Sequence, residues 1–122
     1  MAFETDQRLG VSRGYAHGES GPTVASSLNQ NFRLISILLQ ASVKSASSTT
    51  PPASPVDGDA YIIPVGATGA WATHEGKLTQ YDESLNDWIY LDVKKGFSIF
   101  IDDVDQHWIN TSTGWKVVSF EP

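Results

Sequence analysis

Four groups of residues in this chain have the types and spacing from which chemistry is built. Gly10-Val11-Ser12-Arg13-Gly14 matches the nucleophile-elbow pattern of serine hydrolases. That pattern works only on a tight turn between a buried strand and a helix, at the top of a large α/β sheet. Here it follows a polar terminus in a chain of 122 residues, too short for that fold. Asp57-Gly58-Asp59 and the trio Asp102, Asp103 and Asp105 bring carboxylates close together. Such groups can ligate calcium, but the EF-hand spacing is absent, and Asp is also a favoured turn residue. Nor does the sequence set any two of them across a cleft in the manner of a glycosidase pair. His17, His74 and His107 stand alone, with no i, i+4 or His-x-His pairing, so a histidine metal site would need distant parts of the chain to converge. Trp71, between small residues in Ala67-Thr68-Gly69-Ala70-Trp71-Ala72, is the best candidate for an exposed ring. With His74 it forms a possible ligand-contact pair, an aromatic face for stacking on a sugar, against the common alternative of a Trp packed in the core. No catalytic residue, metal site or cofactor is assigned, and the chain is read as a non-enzyme.

Composition narrows the classes further. The net charge is −6 with only eight basic residues, scattered along the chain. Phosphate-tracking surfaces need clustered Lys and Arg, so nucleic acid is not an expected partner. There is no Cys, which removes disulfides and thiolate metal sites and suits folding in a reducing cytoplasm. The N-terminus lacks the apolar run of a signal peptide. The apolar stretch around Leu34–Leu39 is interrupted by Ser36 and is too short to span a bilayer, so membrane insertion is not expected. Asn110-Thr111-Ser112 matches a glycosylation sequon, read as chance.

Four zones would have to position any site. Residues 1–21 are Gly-rich and polar, without periodicity, and are expected to form a flexible arm. Residues 22–43 read as a helix: Pro22 suits the first turn, and Leu28, Phe32, Ile35 and Leu39 recur with gaps of four, three and four. Those four residues form a candidate docking or oligomerisation seam of under two heptads. Such a helix is roughly 30 Å long, and burying its apolar stripe would contribute on the order of 10 kcal/mol before entropy. Residues 44–56, rich in Ser, Thr and Pro, read as a linker. Residues 57–122 read as short strands and turns. Tyr81 and Trp88 bracket six residues, as do Trp108 and Trp115, which suggests two similar hairpins with cross-strand aromatic pairs. The expected fold is mainly β: a flexible arm and a single α-helix, then a small antiparallel β meander of hairpins.

Asp57-Gly58-Asp59-Ala60-Tyr61-Ile62-Ile63, Ala67-Thr68-Gly69-Ala70-Trp71-Ala72, Gly76-Lys77-Leu78, Tyr81 and Trp88 together carry a resemblance. Over about Thr50 to Phe120 the chain resembles a domain family of uncharacterised function found in phage tail and fibre proteins and in gene-transfer-agent spike proteins. The pattern is a Pro-rich lead-in, a Gly-Asp-x-Tyr strand, an Ala-Thr-Gly-Ala-Trp loop, a Gly-x-Leu strand and a Tyr-to-Trp hairpin. One departure is Val93-Lys94-Lys95-Gly96, where the pattern has Pro-x-x-Gly before the next strand. The resemblance implies a virion structural protein, assembled in the bacterial host cytoplasm and placed in a tail, a baseplate or a head fibre or spike. Its arm and helix would anchor it to other virion proteins. A homo-oligomer, with a trimer as the guess, is the expected assembly. The alternative is a glycan-binding module for attachment to the host surface. The resemblance carries no catalytic residues.

Overall fold

The computed structural model describes residues 4–5, 12–13, 21–39 and 41–119. The chain divides into two compact units, one ending at Gln40 and the other starting at Ala41.

The first unit holds two short strands, β1 (Glu4–Thr5) and β2 (Ser12–Arg13), and the helix α1 (Gly21–Leu39). β1 and β2 pair antiparallel, Glu4 with Arg13 and Thr5 with Ser12, so the stretch expected to be a flexible arm carries a paired element. The composition argument missed it because β2 is bonded not only by β1 but also from a residue of the helix far along the chain. Asn31 is buried, and its carboxamide accepts from the Ser12 N–H at 2.7 Å and donates to the Ser12 carbonyl at 2.8 Å. A side chain that satisfies both backbone groups of one residue replaces a missing ladder partner. His17 lies outside the described residues.

The helix ends at Leu39, four residues before the expected Val43. The reason lies in the second unit, whose strands are β3 (Ser42–Val43), β4 (Ala60–Ile62), β5 (Leu78–Asp82), β6 (Asp87–Leu91), β7 (Ser98–Ile101), β8 (Gln106–Thr111) and β9 (Gly114–Val118). β4, β5 and β6 form an antiparallel sheet. β7, β8 and β9 form a second one, joined by β3, which runs parallel to β7. Segment 41–45 is bonded on both sides. Toward β7 and its following turn, Ala41, Val43 and Lys44 carbonyls accept from Phe100, Asp102 and Asp103 N–H groups at 3.0, 2.9 and 3.2 Å. Toward β4, the Lys44 N–H donates to Ala60 at 2.8 Å and the Ser45 carbonyl accepts from Ile62 at 3.1 Å, around a parallel bridge between Ser45 and Tyr61.

The linker reading of residues 44–56 is therefore corrected, and with it the boundary of the β module, which begins at Ala41. Val43, Ser45 and Ala46 are buried, Val43 with 1% of its surface exposed. Further along, the Thr49 carbonyl accepts from the Thr68 N–H at 2.8 Å, and Thr50 and Thr68 hydroxyls meet at 3.0 Å. Small polar residues and prolines describe a soluble spacer, but they equally describe a strand whose backbone does the bonding.

The two hairpins differ. β5 and β6 are closed by the four-residue turn 83–86, which pairs Tyr81 with Trp88 as expected, their rings 5.2 Å apart. β8 and β9 are closed by only Ser112 and Thr113, so Trp108 pairs with Val117 and Trp115 with Asn110. Equal spacing in sequence gave unequal registers because loop length sets which residues face one another. At the departure from the family pattern the turn survives: Phe97 N–H donates to the Lys94 carbonyl at 3.2 Å, and Gly96 takes φ +95°. That positive φ supplies the bend which Pro would otherwise bias.

Both faces of the β4–β5–β6 sheet are covered. One presents Tyr61 and Trp88; the other presents the cross-strand row Ile62, Leu78 and Leu91, all buried. A chain starting at Ala41 is expected to melt cooperatively with native near-UV circular dichroism. One starting at Thr50 lacks the shared strand and is expected to show neither. In the full chain Val43→Ala is expected to cost about 2 kcal/mol in denaturant unfolding.

Candidate functional site

The strongest motif of the chain, Ala67 to Trp71, lies in the loop between β4 and β5. Its ends are clamped together: the Ile63 N–H donates to the Lys77 carbonyl at 3.0 Å, and the Gly76 N–H to the Ile63 carbonyl at 2.7 Å. Between them the backbone coils into a short 3-10 turn, Gly69–Trp71. It continues through His74 N–H to Trp71 carbonyl (3.0 Å) and Lys77 N–H to His74 carbonyl (3.1 Å). Gly69 adopts φ +63°, a conformation that costs an L side chain, and Pro51 lies 3.5 Å from where a Cβ would sit. Ala70 gives its carbonyl to the Tyr90 hydroxyl at 2.9 Å. From the second sheet, Trp115 donates its indole N–H to the Gly76 carbonyl at 3.0 Å.

This coil drives Trp71 inward. The side chain is 0% exposed and packs with Tyr61, Ile63, Ala67 and Trp88. Its ring centroid lies 5.2 Å from both Tyr61 and Trp88, and Tyr61 and Trp88 are 5.8 Å apart in an edge arrangement. Tilted and edge-on aromatic pairs add attraction beyond area burial. The expectation of Trp71 as an exposed ligand contact is thus corrected: no ligand reaches the ring without opening the core. A large Trp between Ala, Thr and Gly is what a plug looks like when its small neighbours let the backbone coil tightly around it. His74 is half-buried and lies flat on Tyr90, with ring centroids 3.8 Å apart and planes 5° from parallel. The site pair of the sequence reading is therefore one inward plug and one stacked cover.

The carboxylates are occupied by turns. Asp59 accepts from the Val56 N–H at 2.9 Å and pairs with Lys44 at 3.1 Å. Asp57 reaches across to the Glu83 N–H at 2.9 Å, tying the turn before β4 to the β5–β6 turn. Asp82, buried, accepts from the N–H and hydroxyl of Ser84. Among the described residues no three His, Asp or Glu side chains gather as a metal site, and no helix is long and apolar enough to cross a membrane. Asn110 of the sequon spends its amide nitrogen on the Val93 carbonyl at 3.0 Å.

The candidate seam on α1 is split. Leu28 and Ile35 are half-buried, whereas Phe32 is 64% and Leu39 82% exposed. Asn31 is a structural residue that the sequence reading passed over. Its signal was a polar amide between Leu28 and Ile35, inside an otherwise apolar stripe.

The model of a family described as protein of unknown function (DUF2793) matches residues 28–116. The chain belongs to this family. No curated protein matches it. The DUF2793 match starts at Leu28, inside α1, and so reaches further back than the resemblance read from about Thr50. Within the DUF2793 module of this chain the recognisable residues serve the fold: Asp59 and Gly58 make the turn, Tyr61, Trp71 and Trp88 the core, and Thr68 and Gly69 the docking of residues 49–51.

Trp71→Ala is expected to lower stability by about 4 kcal/mol, with a smaller loss for Trp71→Phe, in equilibrium unfolding. Alkali acts on the same core. Burial raises the phenol pKa of Tyr61 and Tyr90 above 10.0, and the hydrogen bond and charge of Asp59 raise Lys44 above 10.5. In all three the folded state holds its proton more tightly than the unfolded one. Their contribution is complete below pH 10 and is lost as the pH rises through the folded values. Melting temperature should be level up to about pH 10 and fall above it, with phenolate absorbance appearing together with unfolding.

Proposed function

We propose that this protein is a structural, non-catalytic component of a phage or phage-like particle, presenting the β module and held in place through α1. The observation that carries the reading is the division of labour just described. Motif residues that could have served a ligand are consumed in closing the β module. The large apolar side chains left on α1, Phe32 and Leu39, lie seven residues apart on one helical face. Arg33 is the only charged residue in the helix, so charge does little to solvate that face. With Ala25, Leu28 and Ile35 they continue a seam spaced three and four, the repeat by which helices pack on one another. Neighbours on this seam would be other copies, a trimer being the proposed number, or other virion proteins. The particle itself is supported by the resemblance of the β module to phage tail, fibre and spike domains, and assembly would take place in the bacterial host cytoplasm.

An antiserum against the protein should label purified particles from the source bacterium at one defined position; labelling confined to the soluble lysate would sink the virion reading. By light scattering the full chain is expected to be a discrete oligomer, and Phe32→Ser/Leu39→Ser a monomer with unchanged near-UV circular dichroism. Equal mass for both would remove the seam from assembly.

A further inference from the structure

Within residues 41–119 the β module consists of two three-stranded meanders, β4–β5–β6 and β7–β8–β9, and the sheets place no ladder directly between them. What joins their backbones is the slot between β4 and β7, filled by residues 41–46. The occupant contributes a parallel backbone bonded on both edges, one large buried side chain in Val43, and the small buried Ser45 and Ala46. Lys44 adds a pair to Asp59 on the far side of the slot. Each of these contacts uses groups that the same segment of a second copy also carries. The segment enters directly from the first unit, with Gln40 alone between the end of α1 and Ala41. It leaves through Ser47-Ser48, ahead of the Thr49, Thr50 and Pro51 contacts with the Trp71 loop. A short hinge beside a self-contained strand favours exchange between identical chains, since the swapped contacts duplicate the original ones. Leu39, the most exposed large apolar residue of α1, stands two positions before the segment, where chains associated through the helix would bring two such strands together.

We infer that the β4–β7 slot is a strand-acceptor site, and that associated copies of this chain exchange residues 41–46 through it. The inference rests on the self-association proposed for α1 and adds to it which residues pass between copies.

The chain has no cysteine, so an engineered pair reports without background. Ser42 and Phe100 are neighbours in the parallel register. Ser42→Cys/Phe100→Cys in the full chain, oxidised at assembling concentration and separated without reductant, should give covalently joined chains as the main species. Disulfides closing only within single chains would overturn exchange. If such chains still scatter as oligomers the helix association stands alone; if they are monomers both ideas fail. Where Phe100→Cys impairs folding, charge exchange replaces it. Lys44→Asp and Asp59→Lys each set like charges in the slot, and unfolding and refolding them together should give a species melting above either alone. A mixture melting no higher than its two components would overturn the proposal.

Discussion

A strand inside a sheet has two rows of backbone groups to satisfy, and segment 41–45 must find partners for both at once. Its partners are β4 on one side and β7 with its following turn on the other. The other ladders of the β module join strands consecutive in sequence, closed by short turns except for the 63–77 loop between β4 and β5. This segment differs: it pairs with residues far along the chain, so its loop-closure cost is met only when both meanders are in place. The burial of Val43 beside Ile101 is then the side-chain counterpart of the same closure. The early end of α1 follows as well, because residues 42–43 take the extended backbone of a strand paired with β7 and cannot at the same time be helical.

The aromatic cluster depends on that closure and in turn fixes what the loop motif can do. Tyr61 is placed by β4, which is held by Ser45; Trp88 is placed by its pairing with Tyr81. Together they form the walls into which Trp71 drops. The loop is bonded from three sides: Thr49 ahead of it, Tyr90 beneath it, and Trp115 from the other sheet. A loop so restrained serves as a wedge, and its ordering cost is offset by one fully buried indole. Burial of the phenols of Tyr61 and Tyr90 against this cluster is also what raises their pKa above the ordinary value.

The mainly β class, the helix and the Tyr81–Trp88 pair were legible because each is a local matter of period, turn residues and loop length. The register of the second hairpin was not, since the Trp108–Trp115 spacing equals that of Tyr81–Trp88 and only the loop decides. The role of residues 41–46, read as the end of the helix and the start of a linker, was illegible for a deeper reason. A strand bonded on both edges by its backbone needs few apolar side chains, so its composition imitates a linker. Trp71 was misplaced by the same logic in reverse: small neighbours suggest an open loop, yet they are what allows a tight coil around a large ring. Asn31 shows where polar residues in apolar stripes repay attention, because its amide binds backbone groups of Ser12, a residue whose own sequence pattern suggested catalysis.

Placing the strand that closes the β module immediately after the helix ties two properties together. In a chain with a real spacer, the surface that binds neighbours and the fold that it displays could change independently. Here Leu39 and Val43 are four residues apart, one exposed and one buried, and a single chain direction must serve both. A change that lengthened the helix by one turn would draw residues 42–43 out of the sheet, since the same backbone cannot be helical and extended at once. The boundary between the units is therefore set by the choice between helical and extended backbone at residues 42–43. Under the proposed self-association, that choice would tie completion of the sheet to assembly through the helix.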